Sequence, residues 1–317
     1  MVSDLLFVVG GLVLLVLAGD ALVRGAVNLS LRLGIPALVV GLTVVAFGTS
    51  APELLVSVQA VRLGAPDIAL GNVVGSNIAN ILLVLGVPAL IATIHSAGLG
   101  LGRGFVTMLA ATALFIVVSL FGPITWKHAL ILLVGLVLML WDNYRTAMAH
   151  RASEAANGTE DLEGADPSMA WWKIICFLVV GLIGLPLGAD FLVDGASNIA
   201  RAMGISEMVI GLTLVAVGTS LPELATSVIA AFKKQAEVAM GNVIGSNVFN
   251  LLGIIGVAGL VGPIPVPEAM LGRDLWVMAG VSLLLVPFLL GRFNITRGVG
   301  VLFLLGYAGY TASLVLT

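Results

Sequence analysis

Apolar runs of 17 or more residues follow one another along the chain, separated by short polar breaks. A helix of that length crosses a hydrocarbon core of ~30 Å, whereas strands of a membrane barrel would show short alternating segments. The pattern therefore predicts an all-α polytopic membrane protein. About ten transmembrane helices are expected, near residues 3–22, 36–62, 68–93, 104–122, 126–143, 172–192, 206–232, 238–262, 274–291 and 298–316. Two of these segments are interrupted by polar residues in the same way: "VVAFGTSAPELLVS" at 44–57 and "LVAVGTSLPELATS" at 214–227.

The recurrence extends through the whole chain. A shift of 170 residues lays "GNVVGSNIANILLVLG" (71–86) over "GNVIGSNVFNLLGIIG" (241–256), and pairs Asp20 with Asp190 and Asn28 with Asn198. Repeats at long period signal duplicated architecture. The division expected is a first repeat over 1–143 with its motif at 41–86, a linker over 144–171, and a second repeat over 172–317 with its motif at 211–256. An odd number of spans per repeat inverts the second relative to the first. Charge placement orients the chain. With the N-terminus outside, ten Lys and Arg fall in inner loops and four in outer ones, which favours N-out, C-out and a cytoplasmic linker by the positive-inside rule. Inverted repeats are a recurrent plan of secondary transporters, with the substrate site near the midplane. The expected location is the cell (inner) membrane.

Composition narrows the chemistry. Only 10% of residues are charged and 60% are hydrophobic, against about one-quarter charged in a soluble domain. The single cysteine, Cys176, rules out an internal disulfide or a cysteine metal cluster and is expected to fill the core. The first 25 residues carry Asp4 in place of a basic leader, so they are read as a retained helix. The linker "RASEAANGTEDLEGADPS" reads as a flexible, solvated loop. The five tryptophans (Trp126, Trp141, Trp171, Trp172, Trp276) lie near expected span ends, as interfacial anchors do.

Glu53 and Glu223 are the glutamates placed deep inside apolar segments. A charged residue at mid-span costs ~2.5–3.5 kcal/mol on insertion scales, so it normally faces a polar interior. Thr49 and Ser50 precede Glu53 by four and three residues and share its helix face; Thr219 and Ser220 do the same for Glu223. Pro52 and Pro222 lack an N–H, and the carbonyls of Ala46 to Gly48 and of Ala216 to Gly218 are expected to leave the helical ladder there. Each proline alone would serve equally well as a packing kink. A carboxylate at both repeat-related positions is not something packing requires. In the next helix of each repeat, Asn72, Ser76 and Asn80 form a polar stripe at i, i+4, i+8, repeated by Asn242, Ser246 and Asn250. Carbonyls, hydroxyls, amides and two carboxylates make an all-oxygen set, which suits hard cations such as Ca²⁺. Transition metals would call for His or Cys, and His95, His128 and His150 all lie near loops.

At "GTSAPE", "GTSLPE", "GNVVGSNIAN" and "GNVIGSNVFN" the chain resembles the sodium/calcium exchanger family of the cation/Ca²⁺ antiporter superfamily, in its short prokaryotic form. The resemblance implies a secondary active antiporter exchanging Na⁺ for Ca²⁺ by alternating access, with Ca²⁺ and Na⁺ as transported substrates, no cofactor, no catalytic residue, and no nucleic-acid or protein partner. It implies that Glu53 and Glu223 are paired acidic ligands of Ca²⁺, and that Thr49 and Thr219 ligate by backbone and side chain. Ser50 and Ser220 would serve flanking Na⁺ sites. The carbonyls of Ala46 and Ala216 and the stripe residues Ser76, Ser246, Asn80 and Asn250 complete the metal set. Family members often carry aspartate where this chain has Asn250, so two formal charges line the site instead of three. It also implies that the first and sixth spans slide as the moving element. A Ca²⁺/H⁺ antiporter remains open as an alternative, and a passive cation channel more remotely.

Overall fold

The longest apolar runs form the longest helices. The fold is taken from a computed structural model that describes residues 2–95, 101–157, 166, 168–204, 216–289 and 293–316. Helix α1 (Val2–Leu33) and helix α9 (Trp171–Ala202) each hold 32 residues, a length of about 48 Å at 1.5 Å per residue. Both outrun the expected spans at 3–22 and 172–192. Polar residues such as Asp20, Arg24 and Asn28 end the apolar window but do not end backbone hydrogen bonding. Termination of α1 comes at Gly34, which takes φ +63. Its N–H bonds Leu31 O at 3.1 Å while Ile35 N bonds Ser30 O at 3.0 Å, closing the last turn as a left-handed glycine cap does.

The second apolar segment is broken. It comprises α2 (Ala37–Val40), a π-helical turn (Gly41–Val45), α3 (Ala46–Thr49) and α4 (Ala51–Arg62), with a bend of 44° at Ser50. Next come α5 (Pro66–Ala79), a π turn (Asn80–Val84), α6 (Gly86–Ile91), α7 (Gly102–Leu120) and α8 (Trp126–Asn157). After α9 the described chain resumes with α10 (Ala216–Gly218), α11 (Leu221–Phe232), α12 (Ala236–Val248), a π turn (Phe249–Ile254) and α13 (Ile255–Val261). A π turn (Met270–Asp274), α14 (Leu275–Leu283), α15 (Val286–Leu289) and α16 (Arg297–Leu316) follow. The span expected from 206 begins outside the described residues.

Among the described residues, seven helices are long and apolar enough to cross a membrane, or eight when the bent pair Ala37–Thr49 and Ala51–Arg62 counts as one span. The chain is a multi-pass, all-helical membrane protein. The linker boundary needs correction: α8 continues to Asn157, well past residue 143. The stretch "RTAMAHRASEAAN" is rich in strong helix formers and holds no Gly or Pro, so the helix leaves the apolar region without unwinding.

Two packed bodies of side chains organise the interior. One core gathers Leu70, Val73, Ile78, Met108, Phe115, Val243, Ile244, Leu251 and their neighbours from α5, α7, α12 and the π turns. The other joins α1 and α9 through Leu15, Ala18, Leu22, Leu185 and Ala189. Glycines bring those two helices together: a Cβ at Gly181 would stand 2.8 Å from Leu22 Cα, and one at Gly188 would stand 3.0 Å from Leu15 N. The other face of α1 is apolar and exposed, with Leu6 at 68% and Leu17 at 63%. Such a face has lipid as its natural solvent. Two short antiparallel bridges, Ile94 with Ile295 and Ile124 with Ile264, tie the ends of distant helices together.

Candidate cation site

The break in the second segment positions Glu53. Pro52 lies at the start of α4, where a missing N–H is harmless because first-turn donors have no helical partner anyway. This shifts the break downstream of its expected place. The carbonyl of Ala46 is not released: it accepts from Ser50 N at 3.1 Å and from Thr49 Oγ1 at 3.4 Å. The Thr49 hydroxyl has one proton and lies closer to Asn242 Oδ1, at 3.1 Å, so the second lone-pair direction of this carbonyl is held only weakly. In the second repeat Pro222 likewise opens α11, and Ser220 N bonds Val217 O at 3.1 Å. Ala216 starts α10. The part of the second motif before it lies outside the described residues.

Both bends aim a carboxylate inward. Glu53 and Glu223 are each 1% exposed. Ser50 Oγ donates to Glu223 Oε1 at 2.9 Å, and Ser246 Oγ lies 3.5 Å from the same oxygen. Among the described residues, Glu53 Oε1 and Oε2, Glu223 Oε2, Ser220 Oγ, Asn80 Oδ1 and both amide atoms of Asn250 are buried with no hydrogen-bond partner. Buried polar atoms are nearly always satisfied. Six of these seven atoms are oxygens, drawn from both repeats, and they suit a partner that takes oxygen ligands. Among the described residues no group of three or more His, Cys, Asp and Glu is placed to hold a metal, so a cation here would lean on neutral oxygens.

Of the other expected site residues, Ser50 and Ser246 lie directly against Glu223. Thr49 is 1% exposed and donates to Asn242 Oδ1 at 3.1 Å. Ser50, Ser76, Ser220, Ser246, Asn80 and Asn250 are all buried, while Thr219 is half-buried. Asn80 and Asn250 lie at the start of π turns, the kind of helical bulge that recurs at functional sites.

Ser57 and Ser227 went unread in the sequence, and they partner the stripe residues Asn72 and Asn242. Asn72 Nδ2 donates to Glu53 O at 3.2 Å and Ser57 Oγ at 3.0 Å, and Asn242 Nδ2 lies 3.4 Å from both Glu223 O and Ser227 Oγ. These bonds brace each bend against the following helix. The signal was present: Ser57 and Ser227 stand four residues after the glutamates in both copies. Asn77 and Asn247, also duplicated, are 1% exposed.

The two repeats are not equally closed. Gly241 is buried against α2, where a Cβ would meet Leu38 O at 2.7 Å, while its counterpart Gly71 is exposed. Glu237 Oε2 also accepts from Leu38 N at 3.1 Å on that closed side. Asp20 lies inside α1, paired with Arg24 at 2.7 Å and with Lys233 at 2.6 Å. Asp190 is exposed on α9. Neither aspartate joins the buried cluster. All five tryptophans are exposed, with Trp126, Trp171 and Trp172 beneath Lys127, Arg32 and Lys173. Cys176 is exposed, which overturns the expectation of core filler. A helix face turned to lipid carries the same residue types as one turned to a core.

The chain is similar to known proteins over nearly its whole length. The family described as "Sodium/calcium exchanger protein" matches residues 3–144 and 173–316. The inner membrane protein YrbG of Escherichia coli K12 is 36% identical, covering 96% of this chain and 94% of that one. The sodium/calcium exchanger MaX1 of Methanosarcina acetivorans is 34% identical, covering 95% of each. A solved structure of the sodium-calcium exchanger NCX_Mj, soaked with Na⁺ and without Ca²⁺, superposes with a TM-score of 0.84 at 34% identity over 99% of both chains. With the family matching two stretches that together span nearly its whole length, and a fold of the same kind, the chain belongs to the sodium/calcium exchanger family of cation/Ca²⁺ antiporters.

Proposed function

We propose that this protein exchanges Na⁺ for Ca²⁺ across the cell (inner) membrane by alternating access, using a cation site between two inverted repeats. The observation that carries the reading is the pair Glu53 and Glu223, both buried and each with unpartnered oxygen, alongside orphaned hydroxyl and amide atoms of Ser220, Asn80 and Asn250. Two carboxylates hold a charge of −2, which one Ca²⁺ cancels. Several Na⁺ replace it by drawing on Thr49, Thr219, Ser50, Ser220 and the stripe oxygens of Ser76, Ser246, Asn80 and Asn250, with the carbonyls of Ala46 and Ala216 as further ligands. Ser50 and Ser220 serve the flanking Na⁺ positions.

The charge balance explains coupling. A loaded site presents little net charge to the hydrocarbon interior, so the protein can switch access. A site with two bare carboxylates pays the penalty of buried, uncompensated charge and stays put. Exchange follows and leak does not. The glycine-lined contact of α1 with α9 supports sliding of that pair as the moving element. The buried side near Gly241 and the exposed side near Gly71 fit a conformation with access from one side. With the N-terminus outside, Gly71 is on the external side and the linker is cytoplasmic. If a net positive charge crosses per cycle, membrane potential contributes ~2.3 kcal/mol per charge per 100 mV.

A carboxyl group can also carry a proton, so the buried pair Glu53 and Glu223 makes Ca²⁺/H⁺ exchange the second reading. Purified protein in proteoliposomes separates the two. Radiolabelled Ca²⁺ uptake is expected to follow an imposed Na⁺ gradient, and uptake following only a pH gradient would replace Na⁺ by H⁺. Uptake that needs neither gradient would indicate a channel. Glu53→Gln and Glu223→Gln are each expected to abolish Na⁺-driven uptake. Survival of uptake in both variants would end the exchange-site assignment.

A further inference from the structure

Each "GSN" triplet carries an asparagine just off the polar stripe, Asn77 in one repeat and Asn247 in the other. Consecutive helical residues are turned by about 100°, so neither side chain shares the direction of Ser76 or Ser246. Both amides are buried at 1% exposure and must find partners in the protein. They do so differently. Asn77 Nδ2 donates back to Val73 O of its own helix at 2.7 Å. Asn247 instead reaches across: its Oδ1 accepts from Asn80 Nδ2 at 3.0 Å. Its own Nδ2 lies 3.4 Å from Asn77 O and 3.7 Å from Met108 Sδ.

A side-chain amide donates from one end and accepts at the other. With Nδ2 turned toward Asn247, the Asn80 oxygen faces the opposite way and is the end offered elsewhere. That oxygen is buried without a hydrogen-bond partner among the described residues, as are both oxygens of Glu53. Turned the other way, the same amide would present two N–H donors to the carboxylates and compete with a cation for them. Asn250, the counterpart of Asn80, has neither amide atom partnered, and Asn77 bonds within its own helix instead of reaching across.

We propose that Asn247 is a positioning residue of the cation site: it holds the Asn80 amide with its oxygen toward the paired glutamates and so raises Ca²⁺ affinity from one repeat only. Asn250 is left free to turn. The proposal rests on the cation-site reading above. Groups that orient metal ligands typically change affinity by about 10–100-fold when removed.

The test uses the full chain in proteoliposomes, reading Na⁺-driven Ca²⁺ exchange against Ca²⁺ concentration. Asn247→Leu is expected to raise the KM for Ca²⁺ roughly ten-fold with the maximal rate largely kept. A packing defect alone would lower the recovered rate and leave KM in place. Asn247→Asp retains an acceptor oxygen at the same reach and is expected not to raise KM. Should Asn247→Leu not be recovered folded, Asn247→Ala removes the same acceptor. Residues acting through one contact are non-additive, so Asn80→Ala with Asn247→Leu is expected to be no worse than Asn80→Ala alone. An unchanged KM in Asn247→Leu or Asn247→Ala, or an additive loss in the double variant, would overturn the proposal. Ca²⁺ exchange surviving in Glu53→Gln and Glu223→Gln would instead remove the site on which it rests.

Discussion

Ser50 Oγ donates a 2.9 Å hydrogen bond to Glu223 Oε1, so a hydroxyl from the first motif holds the carboxylate of the second. The two residues are 173 apart in sequence, so the contact joins the two motifs directly. Bonds between the repeats recur around the site: Thr49 bonds Asn242, and Asn80 bonds Asn247. Cross-repeat bonding makes these buried groups sensitive to how the two repeats are set against one another, which fits the alternating access proposed above.

Removing that hydroxyl tests the role given to Ser50. Ser50→Ala deletes an oxygen assigned to a flanking Na⁺ position. A hydrogen-bonding group of this kind is worth ~1 kcal/mol net, or roughly five-fold in affinity. The Na⁺ concentration for half-maximal exchange is expected to rise by about that factor, with a smaller change in Ca²⁺ dependence, and Ser50→Thr is expected to restore it. Equal shifts for both ions would show that Ser50 acts on Glu223 alone.

Gly71 and Gly241 occupy the same place in their repeats but opposite surroundings. A Cβ added at Gly241 would have Leu38 O and Leu42 N within 3.0 Å, whereas Gly71 is exposed and a Cβ there would meet no described atom within 4 Å. Gly71→Ala is expected to be neutral or stabilising, because alanine is the better helix former by ~1 kcal/mol. Gly241→Ala forces backbone apart and is expected to destabilise by ~1–3 kcal/mol. Thermal unfolding in detergent measures both, and a similar response from the two variants would contradict the one-sided closure.

How much of this was legible in the sequence depends on the physical signal involved. Glu53 and Glu223 announced themselves because a carboxylate in an apolar run needs a reason, and its recurrence excluded accident. Cys176 misled, since lipid-facing and core-facing residues have the same hydropathy. The ends of α1, α8 and α9 were misplaced because hydropathy reports where lipid ends, and a helix stops only where a cap such as Gly34 or a loss of propensity stops it. Asn247 was invisible as a positioning residue. Its partner Asn80 lies 167 residues away, and the matching residue Asn77 makes a different bond.

Asp20 bridges Arg24 within α1 and Lys233 beyond α11. The aspartate side chain is 33% exposed and that of Lys233 25%, so solvent screens the pair. Lys233→Leu, which installs the residue type found at the equivalent position 63, is expected to lower stability by at most ~1 kcal/mol. The difference from the parent is expected to shrink as salt rises from low to ~1 M, where the Debye length falls to about 3 Å. A salt-independent loss would assign Lys233 a packing role.

Asn250 offers the sharpest test of the charge arithmetic. The side chain is buried with both amide atoms unpartnered, so Asn250→Asp adds a third carboxylate of nearly the same shape without displacing a bond. When ionised, that carboxylate adds attraction for a divalent ion more than for a monovalent one, so Ca²⁺ is expected to bind more tightly. Release then becomes harder, and the maximal exchange rate is expected to fall together with KM. When protonated, the added group is uncharged and resembles the amide it replaced. Parent and variant are therefore expected to converge as pH falls and to diverge as pH rises, giving the variant a steeper pH profile than the parent. Exchange measured over a pH series with a fixed Na⁺ gradient reads this directly. If Asn250→Asp followed the parent at every pH, position 250 would lie outside the field of the transported ion, and the balance of two carboxylates against one Ca²⁺ would lose its basis.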